Sequence, residues 1–418
     1  MSTPLPALII GAGIAGLPLA LQLAKAGKPS IVIERCPGLE TKGQNIDLRG
    51  PGQEVVARLG LEAAIRAKTT TEKGMSVEDE NRKSWAFFGV SEQKEGKKNT
   101  SPTSDIEILR GDLADVFYQE CLAKYPNLIS FRFGAKIASI EENDDSVTLT
   151  LKSGEVLHGS ILVGADGQGS QVRQMCLASS SNINVRHFHL YMSYYTIPRE
   201  EHDTDIWRIY ITTKRRSLFI RPDGSGKTVR VSLCVMTQDP EAVKAFEEQR
   251  DPKVYKEKLK EIFTGAGWEA PRLLKAMDET SDFYLHPTVQ IRMDKWHKGR
   301  VVLLGDAAWA PSPLGGMGTT LAVSGAYLLA WHLNRKDVGD DPTKAFTRWE
   351  EEYRGYVEKA QDIPSFAPGL FYPRNVLEVK ALRWFAYMIG VVSKLPFLGS
   401  FFGGGEDPFK LPADEEMA

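Results

Sequence analysis

The residues best placed to do chemistry stand at the start of the chain. Gly11, Gly13 and Gly16 are spaced as G-x-G-x-x-G, with Ala15 inside the motif. The first glycine permits a tight turn, the second lets backbone approach a pyrophosphate, and the third lets helix and strand pack closely. A helix opening there offers free N–H groups and a positive dipole end to phosphates. Glu34, followed by Arg35, closes the next apolar run. A carboxylate at that place accepts hydrogen bonds from ribose hydroxyls and disfavours a 2′-phosphate. The pattern therefore points to FAD or NAD, rather than NADP, as the resident dinucleotide.

Two later stretches are also rich in glycine and polar groups. One runs Gly164-Ala165-Asp166-Gly167-Gln168-Gly169-Ser170-Gln171-Val172-Arg173. The other runs Gly305-Asp306-Ala307-Ala308-Trp309-Ala310-Pro311-Ser312-Pro313-Leu314-Gly315-Gly316-Met317-Gly318, then Thr319. Each follows a run of Ile, Leu and Val. No metal site is expected, since the seven histidines form no H-E-x-x-H and the four cysteines no C-x-x-C. His187 and His189 share a strand face, an arrangement that packing explains.

These motifs need strands and helices to hold them. Ala7–Ile10 reads as a buried parallel strand, residues 17–26 as a helix stopped by Gly27, and residues 30–34 as the second strand. Residues 53–67 read as helical, as do those from 111 or 112 to about 123. Residues 92–104 read as a lysine-rich surface loop. Residues 128–163 alternate and carry a Ser153-Gly154 turn, so a small antiparallel layer is expected. Residues 186–236 are mostly strand, broken by the Pro222-to-Gly226 turn; residues 240–280 look helical and charged. Residues 301–304 read as a buried strand and 322–333 as a helix.

Composition sets limits. The chain has 418 residues and a net charge of −2, with no basic stripe, so nucleic acid is not an expected partner. The scattered cysteines fit a reducing compartment, and the first apolar run lacks a basic leader, so a cytoplasmic protein is expected.

Taken together, the three motifs resemble the class A flavoprotein monooxygenases, the para-hydroxybenzoate hydroxylase family. Asp166, Gly167, Ser170, Val172 and Arg173 complete its D-G-x-x-S-x-V-R motif, and the stretch from Gly305 looks like G-D-A-A-H-x-x-x-P-x-x-G-x-G. The likeness spans roughly residues 5–335 and leans towards the tetracycline-degrading members. It implies an α/β fold: a Rossmann-like FAD-binding domain, a mixed-sheet substrate domain and a C-terminal helical segment. The first would comprise residues 1–73, 106–182 and 285–375, the second 74–105 and 183–284, and the third 376–418.

The resemblance also implies roles. FAD would be the resident cofactor, with NADPH or NADH as a transient electron donor. A flavin hydroperoxide would pass one oxygen atom from O₂ to a small aromatic or polycyclic substrate. Asp306 would accept from the ribityl hydroxyls. Pro313, Gly315 and Gly316 would lie against the flavin ring, with Gly318 and Thr319 opening the helix behind it. Arg110 would reach the ribityl-phosphate region, Asp47 would contact FAD, and Asp166 and Arg173 would stand near FAD and the passing nicotinamide. Departures are Trp309 for the usual histidine, Thr320 for the asparagine and Gly325 for the aspartate. Glu40 replaces an arginine that serves the nicotinamide in the tetracycline enzymes, so that contact is not expected.

Substrate-lining candidates, chosen by strand alternation, are Tyr195, Tyr210, Phe219 and Arg221, with Tyr191 and Arg208 as neighbours. Residues 381–402 are aromatic and nearly uncharged. They are expected to pack on the body or close the site rather than bind a membrane. Other readings of the same fold are an oxidase or reductase, a halogenase, or a non-catalytic flavin-binding partner. The halogenase tryptophans are missing around Tyr194 and Tyr195.

Overall fold

The computed structural model describes residues 4–40, 43–70, 72–89, 106–249, 251–339, 341–392 and 409–413. The lysine-rich stretch and residues 393–402 lie outside the described residues. The first layer is a six-stranded sheet around Ala7–Ile10, which pairs in parallel with Ser30–Ile33 and Ile161–Gly164. Ile129–Arg132 and Val301–Leu303 extend it in parallel, and His297–Lys298 closes one edge. The apolar runs are buried because helices Gly16–Lys25, Arg110–Lys124 and Gly318–Leu333 pack with them in one core. Burial on both faces is what removes the alternation from such strands.

The expected antiparallel layer is real but smaller than residues 128–163 suggest. Ile137–Glu142, Val147–Leu151 and Val156–Gly159 form it. Ile129–Arg132 alternates yet joins the parallel sheet, as an edge strand with one half-exposed face can. Residues 53–67 divide at Gly60 into Pro51–Arg58 and Glu62–Arg66. The helix expected at 322 begins at Gly318, so Gly318 and Thr319 are its first residues.

The second layer is a seven-stranded mixed sheet. Its order is Tyr284–Met293, Ile183–Pro198, Thr228–Met236, Arg216–Pro222, Trp207–Thr212, Gly74–Glu78 and Ser84–Gly89. Strand Tyr284–Met293 carries this sheet past residue 284, where sequence placed its end. Helices Pro252–Phe263 and Ala270–Glu279 cover one face. The other face turns towards the first layer. A short ribbon, Asn45–Asp47 with Glu107–Leu109, lies between the layers, and Asn45 Nδ2 donates to the Pro222 carbonyl at 3.1 Å.

Helix Val376–Val392 packs beside the edge strand Ser84–Gly89. The chain returns to the first layer at residues 409–413, which are not helical. There Phe409 stacks on Tyr356, and the Pro412 carbonyl accepts from Tyr327 at 2.9 Å and Arg58 at 2.5 Å.

Candidate active site

The fingerprint loop closes as its residue types demand. Gly11 has φ +112°, and a Cβ there would overlap the Ala165 carbonyl oxygen. A Cβ on Gly16 would overlap the Gly11 carbonyl. Gly13 is different: the nearest atom to a Cβ there would be Arg110 Nη2, 4.0 Å away. The loop is open on that side, above buried Ala15. Helix Gly16–Lys25 has no side-chain cap; Leu17 N–H bonds the Gly13 carbonyl at 3.1 Å and Pro18 has no N–H, which leaves the Gly16 N–H and the positive dipole end facing the loop.

Glu34 is fixed at the edge of this opening. Its carboxylate accepts from Ala12 N at 3.0 Å and Cys36 N at 2.9 Å, one donor per oxygen. Each oxygen keeps a lone pair for a further donor. Arg35 is exposed.

Arg110 begins its helix with its own N–H on the Gln44 carbonyl, 3.0 Å. Its guanidinium is exposed and pairs with no described residue. Its charge opposes the rise that burial causes at Asp306 and Tyr284 and adds to the fall at His286. Asp306 lies deep within the molecule, which raises its pKa, with Arg110 and Arg173 opposing the shift. Its side chain is nonetheless open to solvent. A carboxylate that is both deep and open belongs to the wall of a cleft. Gly305, at φ +65°, sets it there, since a Cβ on Gly305 would come 3.0 Å from Ala15 Cβ.

The loop after Asp306 also reaches solvent. Pro313, Leu314, Gly315 and Gly316 are exposed. Ser312 precedes them at φ +83°, a costly conformation for a residue with a Cβ, and its Oγ accepts from Leu314 N at 3.3 Å. Helix Gly318–Leu333 starts without a side-chain cap. Thr320 is buried and bonds Arg49 both ways, accepting from its N–H at 3.0 Å and donating to its carbonyl at 3.3 Å. That ties the Asp47 segment to the helix start. Asp47 Oδ2 accepts from Arg49 Nη2 at 3.4 Å.

Asp166 and Arg173 hold the frame together. Asp166 accepts from Ser170 Oγ at 2.5 Å, Gln171 N at 2.7 Å and Val172 N at 3.2 Å. Arg173 is buried, and its guanidinium donates to the carbonyls of Ala307 at 2.8 Å and Gln168 at 2.5 Å. It thereby fastens the second motif to the third. Trp309 and Gly325 are matched to each other: a Cβ on Gly325 would stand 3.1 Å from Trp309 Cζ2 and 3.0 Å from Tyr353 Cε1. Trp309 lies in a buried cluster with Trp296, Trp349 and Tyr353.

The substrate-side candidates divide. Phe219 is on the face that turns to the first layer, packed beside Met192 and Tyr372. Tyr195 and Tyr210 are on the opposite face, under the helices. Their hydroxyls donate to the carbonyls of Leu273 and Ala266, both at 3.0 Å. The helix-covered face is the more apolar one, so selecting bulky apolar residues by alternation selects it. Arg221 is on the correct face but engaged: it bonds Glu72 at 2.9 and 3.0 Å, meets Glu107 at 2.7 Å and lies over Trp207. Arg208 is likewise held by Glu78 and Glu269.

Sequence reasoning passed over Tyr194, Tyr284 and His286. Tyr194 stacks on Tyr284, whose hydroxyl donates to Gln44 Oε1 at 2.7 Å, and His286 packs edge-on to Tyr284. His286 is deep yet open, like Asp306. Its pKa is lowered, by burial and by the charge of Arg110. Alternation along residues 284–293 carried this signal, but those residues were expected in the other domain.

The chain matches the family model described as an FAD binding domain over residues 4–362. It is 34% identical to an FAD-dependent monooxygenase of Sarocladium schorii, asL4, covering 93% of each chain. It is 32% identical to the monooxygenase CTB7 of Cercospora beticola, covering 91% of each. Among solved structures it is similar to the tetracycline destructase Tet(55), with a TM-score of 0.76 and 27% identity over 93% of this chain and 97% of that one. The fold is shared with Klebsiella pneumoniae HpxO, solved with FAD and uric acid, at TM-score 0.71 and 20% identity over 92% and 93%. An open glycine fingerprint facing an arginine and a deep carboxylate is thus matched by relatives along nearly the whole chain, which belongs to the class A FAD-dependent monooxygenases.

Proposed function

We propose that this monooxygenase takes its electrons from NADPH or NADH and places one oxygen atom from O₂ on a phenolic or polycyclic substrate. The observation that carries the reading is the grouping about Arg110: its Nη2 lies 4.0 Å from where a Cβ on Gly13 would stand, and its charge reaches Asp306 and His286, both open to solvent. The residues present fit FAD: a backbone that admits a pyrophosphate at Gly13, an uncapped helix start, a cation for the phosphates and a carboxylate for the ribityl hydroxyls. When bound, FAD supplies the electron storage and the activation of O₂.

The chain's own groups do the rest. Gly11, Gly13, Gly16 and the helix start hold the pyrophosphate, with Arg110 over it, and Glu34 takes the ribose. Asp47 and Asp306 orient the ribityl chain. Pro313, Gly315 and Gly316 form the surface against which the ring lies. The N–H groups of Gly318 and Thr319 stabilise negative charge at the ring edge. Asp166 and Arg173 act as braces. Tyr194, Phe219 and Tyr284 give the substrate a flat, apolar wall, and His286 accepts a proton from a substrate hydroxyl. Its lowered pKa keeps it neutral, and so able to accept, at pH 7.

The test is NADPH and NADH oxidation under air by the FAD-loaded protein, against phenolic and polycyclic compounds, with isotopic O₂. A product one labelled oxygen heavier is expected. His286→Gln should lower kcat/KM for hydroxylated substrates while leaving FAD content unchanged. Substrate-stimulated turnover that gives only hydrogen peroxide with every compound would defeat the reading.

A further inference from the structure

Helix Val376–Val392 faces the protein with the side that carries Val379, Arg383 and Gly390. Val379 is buried, Arg383 pairs with Glu80 at 3.1 Å, and Gly390 sits against Ala86. The outward side is the apolar one. Leu377 is 78% exposed, Phe385 60% and Trp384 58%, with Met388 and Val391 also exposed. A surface helix ordinarily has the reverse polarity. The short helix before it, Ala367–Leu370, and its flanks add exposed Phe366, Leu370 and Phe371. Scattered apolar side chains need no explanation, but a contiguous group marks a contact surface.

We propose that this face docks on an anionic lipid surface and lies in the headgroup plane. No helix among the described residues is long and apolar enough to cross a membrane. Trp384 and Tyr387 are the side-chain types that settle at a lipid–water boundary. The rim is cationic. Lys380 is exposed on the helix, and Arg374 precedes it. Exposed Lys214 is fixed beside Arg374 by a 2.9 Å bond from its N–H to the Arg374 carbonyl. Glu80 pairs with Arg383, and Glu378, which accepts from Arg374 N and Asn375, is one negative charge against the three cations. An anionic partner complements that rim, whereas a second copy of this chain would set like charges together. Binding of this kind scales with buried apolar area plus attraction to anionic headgroups.

The experiment is flotation of the full FAD-loaded chain with phosphatidylcholine vesicles, with and without phosphatidylserine. The chain should float with the phosphatidylserine vesicles, bind phosphatidylcholine alone more weakly, and be released by salt. Trp384→Ser with Phe385→Ser should abolish flotation with helix content and FAD content unchanged. Removing Lys380 or Arg374 should lower partitioning by about 5-fold each. A parent chain that stays at the bottom of the gradient at low salt overturns the proposal. So does light scattering that finds a dimer, with no flotation, which the same double substitution converts to monomer. In that case the face is a self-association surface.

Discussion

The tightest sequence-to-structure coupling in the site is between Trp309 and Gly325, and it can be measured by a double-mutant cycle. Gly325 lies inside helix Gly318–Leu333, where glycine costs about 1 kcal/mol relative to alanine. It persists because even a methyl group would meet Tyr353 and Trp309 at 3.0 and 3.1 Å. Gly325→Asp therefore overpacks the site, at about 1–3 kcal/mol. It also buries a carboxylate without a partner, for several more. Trp309→His alone leaves part of a fully buried indole site unfilled, and large-to-small changes of this kind cost about 2–4 kcal/mol. Together, the smaller imidazole makes room for the carboxylate and can pair with it. The double variant should then be less destabilised than the sum of the singles by about 1–3 kcal/mol. Urea unfolding at one fixed FAD concentration reads all four corners, because bound cofactor shifts apparent stability. Where Gly325→Asp alone does not fold, Gly325→Ala replaces it in a cycle with Trp309→Phe. Costs that add within about 0.5 kcal/mol would show that the two positions are not coupled by packing.

Other expectations follow from the same contacts. Arg110→Ala should weaken FAD binding roughly 10- to 100-fold by fluorescence titration, yet barely change apo-protein stability, since the side chain is exposed. Arg173→Gln removes a buried brace and should cost about 2–4 kcal/mol in unfolding free energy, with no selective change in KM for the nicotinamide. Tyr195→Phe and Tyr210→Phe should each cost about 1 kcal/mol of stability and leave substrate KM unchanged; a KM shift would return them to the substrate wall. Glu107 gives a pH test. Burial, with Glu72 and Asp47 nearby and Arg221 opposing, pushes it up to about 8. Its unfolded value is about 4.3, so its stabilising contribution is complete below that and is lost as pH rises towards 8. Glu107→Gln keeps an acceptor for Asn45 and should flatten that slope, which is at most about 1.4 kcal/mol per pH unit. An unchanged pH–stability curve in the variant would place the proton elsewhere in the cluster.

The first layer was legible because its signals are local. Ala7–Ile10, the glycine turn and Glu34 are close in sequence, and each glycine answers a steric demand within one turn. The substrate side was less legible because facing is a tertiary property. Alternation separates Tyr195 from Tyr194, but it does not say which of the two faces receives helices. Arg221 looked like a substrate cation because Glu72 and Glu107, its partners, are distant in sequence and were unremarked. The C-terminal helix was expected to pack on the body, and it does so with one side. That its outer side is the apolar one depends on where Arg383 finds Glu80, which no spacing rule reports.

The bond from Arg173 to Ala307 also bears on how the protein is made. Ile161–Gly164 emerges from the ribosome long before its parallel neighbour Val301–Leu303, and five of the seven strands of the second layer are synthesised between them. Until the later strand arrives, one edge of the first layer is unpaired and Arg173 has only Gln168 to hold. Parallel pairings of such long sequence separation form slowly and leave edges open to aggregation meanwhile. The nascent chain thus completes its parallel sheet only after Leu303 has emerged. Truncations that keep the N-terminal fingerprint but stop before Val301 would yield an open sheet edge rather than a smaller flavoprotein.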